Sequence, residues 1–60
     1  MKSDKEKVIK FLNEFDIGYT LLEDEIILEA DKHNKVIGFP NHNLEFIFDK
    51  NNNFLKLGLF

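Results

Sequence analysis

Between Val8 and Phe15 the apolar residues recur every three or four positions, and from Tyr19 onward the period falls to two. The first pattern is that of an amphipathic helix and the second that of strands with one buried face. Val8, Leu12 and Phe15, flanked by Ile9 and Phe11, make an apolar stripe, while Lys5, Lys7, Lys10, Asn13 and Glu14 take the other side. Ser3 followed three residues later by Glu6 is a capping-box signature, since the hydroxyl and the carboxylate each satisfy the other residue's amide. Gly18 stands where a left-handed cap would close the helix, which is therefore expected over residues 4–16.

Beyond Gly18 a tight turn at Glu23-Asp24 sets Leu21 opposite Ile26 and Tyr19 opposite Leu28, with Ala30 on the same face. This predicts strands over 18–22 and 25–30. A turn at Asp31-Lys32-His33-Asn34-Lys35 leads to a short strand over 35–39, broken by Pro40 and Asn41-His42-Asn43. The last two strands, 44–49 and 54–59, have the most strongly specified register. A two-residue turn at Asn51-Asn52, both with positive φ, pairs Phe48 with Leu55, Phe46 with Leu57 and Leu44 with Leu59, all on one face. The opposite face carries Ile47, Phe54 and Phe60 beside Glu45, Asp49 and Lys56. The predicted fold is α+β in two layers: one N-terminal amphipathic helix packed on an antiparallel meander sheet of four to five strands, in a single domain over residues 1–60.

Composition then narrows the chemistry. With no Cys, a disulfide scaffold, a Cys zinc site and a thiol nucleophile are excluded. Met1-Lys2-Ser3-Asp4 opens into charged sequence where a secretory leader needs an apolar stretch, and no run is long enough to span a bilayer, so the expectation is a cytoplasmic protein without membrane contact. A chain of 60 residues hides only about 60% of its unfolded surface on folding. Self-association is a direct route to more apolar burial, and a homo-oligomer is expected.

The net charge of −3 is unevenly spread. Residues 11–31 hold Glu14, Asp16, Glu23, Asp24, Glu25, Glu29 and Asp31 and no base. Glu23, Asp24 and Glu25, with Asp31 at the far end of the same hairpin, are the candidate partner-binding residues, because an anionic patch steers toward a basic protein surface. Phe39, Ile47, Phe54 and Phe60 fall outside the core periodicity and are the candidate interface residues. Asp31, His33 and His42 have no spacing that forces them onto one metal ion, so neither metal nor cofactor is expected. The three glycines stand twenty residues apart and form no phosphate cradle. The absence of Arg and the alternation of Lys with acids on the helix argue against direct nucleic-acid binding.

These features predict a non-catalytic protein-binding module rather than an enzyme. By general type it is similar to the small inhibitor proteins of phages and other mobile elements, which block a host protein's surface, although no motif carries that likeness. Two alternatives follow from the same residues. One is a nucleotide or small-molecule sponge with a pocket at an oligomer interface, using Asn41, Asn43, His42, Lys50 and Lys56. The other is a structural self-assembly subunit.

Overall fold

The computed structural model describes residues 2–29 and 41–60. Helix α1 covers Asp4–Glu14, followed by strands β1 (Thr20–Leu21), β2 (Glu25–Leu28), β3 (Leu44–Phe48) and β4 (Phe54–Leu59). The strands form one antiparallel meander in the order β1-β2-β3-β4, and with the N-terminal helix this is the expected α+β arrangement. The expected strand over 35–39 and the inward position of Ala30 lie outside the described residues.

The start of α1 is a capping box. Ser3 Oγ accepts from the Glu6 amide at 3.2 Å, and Glu6 Oε1 accepts from the Ser3 amide at 3.3 Å. The helix ends two residues earlier than its sequence pattern implied, and the left-handed residue is Asp16, with φ 56°, rather than Gly18. The Ile17 amide bonds back to the Leu12 carbonyl at 2.9 Å and the Asp16 amide to the Asn13 carbonyl at 3.2 Å, which is a Schellman motif. Its geometry sets Ile17 against Leu12, and both are buried. Closing the helix at Gly18 would have left Ile17 within the last turn, so apolar packing outweighs the cost of a left-handed aspartate.

The first hairpin follows the expected register, Leu21 facing Ile26 and the Leu22 amide donating to the Glu25 carbonyl at 2.9 Å. The last hairpin departs from it in an instructive way. Its loop holds three residues, not two: the Asp49 amide bonds the Asn53 carbonyl at 2.9 Å, and only Asn52, at φ 65°, is left-handed. Asp49 Oδ1 takes the amides of Asn51 and Asn53 at 2.8 and 2.9 Å, which holds the longer loop. One extra loop residue alone would slide β4 by one place and turn Lys56 and Gly58 inward. A bulge at Leu55 absorbs it, so that Phe48 pairs with Phe54 while Phe46 still pairs with Leu57 and Leu44 with Leu59.

Leu12 and Ile17 close over Ile26, Leu28, Leu44, Phe46 and Phe48, with Val8, Ile9 and Tyr19 packed at the margin. The core thus sits on β2 and β3. A helix about 10 Å across cannot cover four strands spaced about 4.8 Å apart, and among the described residues nothing else covers the outer strands.

Candidate functional site: an acidic hairpin tip and an open apolar edge

The acidic block is divided by the fold. Glu23 and Asp24 form the exposed tip of the β1–β2 hairpin, whereas Glu14, Asp16 and Glu29 lie toward the opposite end of the sheet. The tip is anchored from below: Lys5 Nζ donates to the carbonyls of Leu22 at 3.0 Å and Glu23 at 2.5 Å. That bond fixes the turn backbone to the helix and leaves the tip carboxylates pointing to solvent. The only ion pair among the described residues, Lys10 to Glu14 at 4.0 Å, lies on the helix surface and involves neither of them.

Glu25 does not belong to the tip in the same sense. It is half-buried at the start of β2, on the outer face of the sheet, diagonal to Glu45 on β3. A hydrogen bond with the Glu45 carboxylate raises its pKa above the ordinary 4.5, because only the protonated form can donate; slight burial and the like charges of Glu45 and Asp24 act in the same direction. The Glu45 side chain also leans the other way, over Gly58: a Cβ at Gly58 would lie 2.7 Å from Glu45 Oε1 and 3.0 Å from Cγ. Asp31 lies outside the described residues.

Of the four candidate interface residues, Phe39 lies outside the described residues and Ile47 is half-buried on the outer face. Phe60 is exposed beyond β4, its amide and carbonyl paired with Asn43 at 2.9 and 2.6 Å. Phe54 is exposed too, but on the inner face rather than the outer. The bulge turns its ring edge-on to the core rings of Phe48, at 6.1 Å, and Phe46, at 6.5 Å.

A larger correction concerns residues assigned to the core. Phe11, Phe15, Leu21, Leu55, Leu57 and Leu59 are each between 42% and 59% exposed, as is the interface candidate Phe54. Asp4 Oδ2 accepts the Phe54 amide at 2.8 Å, which identifies the flank of α1 beside β4, whereas Asn13 accepts the Tyr19 hydroxyl at 3.2 Å on the flank toward β1. Residues seven and eleven places beyond Asp4 return within about 20° of it on a helix. Phe11 and Phe15 therefore stand on the β4 side, their rings 4.9 Å apart. With the inner face of β4 they bound one apolar trough. The signal was present in the sequence: the hairpin offers more inward apolar residues than one short helix can cover.

The ladder also fixes which backbone groups are free. Phe60 and Asn43 exchange both of their bonds, and antiparallel pairs alternate, so Gly58 and Lys56 point their amides and carbonyls at β3 while those of Leu57 and Leu59 face away from the sheet. The start of this edge is closed by Asp4 at Phe54 and by the Lys5 amide at the Asn52 carbonyl, 3.2 Å.

The sponge candidates do not converge within one chain. Lys50 sits in the β3–β4 loop, and Asn41, His42 and Asn43 precede the other end of β3, on the order of 20 Å away at strand rise. A groove of about 450 Å³ beside α1 is lined by Lys2, Glu6, Ile9, Lys10, Asn13 and Glu14, and one of about 280 Å³ by Gly18, Tyr19, Thr20, Ile27 and Glu29. Among the described residues no three His, Asp or Glu converge as a metal site, and no helix is long and apolar enough to cross a membrane. Comparison with protein-family models, curated proteins and solved structures found no match.

Proposed function

We propose that this chain is a non-catalytic protein-binding module that acts by occupying a surface of another protein, in the manner of a small inhibitor. The observation that supports it best is the trough between α1 and β4, six large apolar side chains about half exposed beside an open strand edge. Isolated apolar residues on a surface are ordinary, whereas a contiguous set next to unpaired backbone groups is the kind of surface proteins use to bind proteins. The acidic tip supplies direction. Glu23 and Asp24 are held on a turn whose carbonyls are tied to Lys5, so their charge is presented from a fixed platform to a basic partner.

The test separates charge from fold. Glu23→Lys combined with Asp24→Lys should leave the circular dichroism spectrum and the urea midpoint nearly unchanged, because exposed turn charges contribute at most about 0.5 kcal/mol. Partners retained on the immobilised protein and identified by mass spectrometry should be lost with this variant, and should elute as salt is raised. Retention of the same partners by the double variant would remove the electrostatic part of the reading.

A further inference from the structure

We infer that the open edge of β4 is a homodimer interface: two copies pair antiparallel with Leu57 facing Leu57 across a two-fold axis, joining two four-stranded sheets into one. This goes beyond the proposed function: it assigns the trough and the β4 edge to a second copy of this chain and leaves the acidic tip to the foreign partner, and it is read by mass rather than by partner capture, so either can fail alone.

Three observations choose a second copy as the occupant. The first is the edge itself. Leu57 and Leu59 direct their amides and carbonyls outward, and a strand meeting its own copy in antiparallel sense satisfies both kinds of group by symmetry. The second is charge. Pairing about Leu57 sets Lys56 of each copy opposite Gly58 of the other, where the Glu45 carboxylate lies. Among the described residues Lys56 makes no ion pair, and the partner of the Glu45 carboxylate is another carboxyl, that of Glu25. Gly58 has no side chain to keep the ammonium away. Pairing about Gly58 instead would bring the Glu45 carboxylates of the two copies together over the axis, so charge selects the Leu57 register.

The third observation is area. At about 200 Å² per large side chain, the six half-exposed residues of the trough present roughly 600 Å² of apolar surface, most of the about 800 Å² per partner of a standard interface. A two-fold axis through the paired strands keeps both inner faces on the same side of the joined sheet. Phe11 and Phe15 of the two helices then face each other across the seam, over the leucines of both β4 strands, and the acidic tips remain uncovered at the far ends of the β1–β2 hairpins.

The interface is tested by sedimentation equilibrium from 1 to 200 μM. The unmodified chain is expected to be a dimer over most of this range. Lys56→Glu and Glu45→Lys, each alone, should raise the dissociation constant tenfold or more by placing like charges together. The double variant should restore dimerisation, because the pair is merely exchanged. As a backbone control, N-methylation of Leu57 in synthetic protein removes a donor the monomer does not use; it should abolish dimerisation with the circular dichroism spectrum retained. A monomer throughout the range, association undiminished by the Leu57 methyl group, or single charge reversals without rescue in the double variant would overturn the inference.

Discussion

Leu12 and Phe15 occupy the same apolar stripe in the sequence, yet the structure gives them opposite energetic weight, and truncating each to alanine measures the difference. Leu12 is fully buried, closes over β2 and β3, and its carbonyl receives the Ile17 amide that ends the helix. Removing its three outer carbons opens a cavity beneath helix α1, at a cost of about 3 kcal/mol within the usual range for buried leucines. A 60-residue domain has roughly 3–9 kcal/mol in all, so Leu12→Ala should bring the chain close to unfolding at room temperature. Phe15 keeps 56% of its surface in water, and Phe15→Ala should cost about 1 kcal/mol, chiefly the contact with Phe11. Urea unfolding followed by circular dichroism and by Tyr19 fluorescence gives both values, provided it is run at two protein concentrations so that any association is seen as a shift in midpoint. Equal losses for the two variants, or a loss below 1 kcal/mol for Leu12→Ala, would refute this assignment of the core.

Two carboxyls should shape the acid side of the stability profile in opposite senses. Amides of Asn53 and Asn51 hold the Asp49 pKa below its ordinary 3.8, so its contribution is complete above that pH and is lost as pH falls through the folded-state value. The Glu25 pKa is raised by Glu45, so its contribution is complete below 4.5 and is lost as pH rises through the folded-state value. Asp49→Asn should flatten the first limb and Glu25→Gln the second, both readable as urea midpoints from pH 2 to 7. Asp16→Gly should raise stability by about 0.5–1 kcal/mol, since glycine relieves the left-handed strain and removes a negative charge from the helix C-terminus. A lower midpoint for this variant would show that the Asp16 side chain contributes something the backbone does not reveal.

What the linear chain determined were the local choices. The capping pair Ser3 and Glu6, the helical period from Val8 onward, the tight turn at Glu23-Asp24 and the alternation in both hairpins each depend on residues a few positions apart, where short-range geometry decides. Even the pairing of Leu44 with Leu59 and Phe46 with Leu57 was readable, because a slip by one place turns polar side chains inward. The tertiary structure decided how far each apolar face is covered. Whether Phe15 or Leu57 is core depends on the width of a helix laid across a sheet, and no periodicity along the chain encodes that width. The same holds for the bulge at Leu55, a compromise between the three-residue loop held by Asp49 and the demand of the core for Leu57. It holds also for Asp16, chosen over Gly18 because Ile17 had to reach Leu12. The acidic run was one block in sequence and became two ends of a sheet, because antiparallel strands carry consecutive residues apart and bring distant ones, such as Glu25 and Glu45, together.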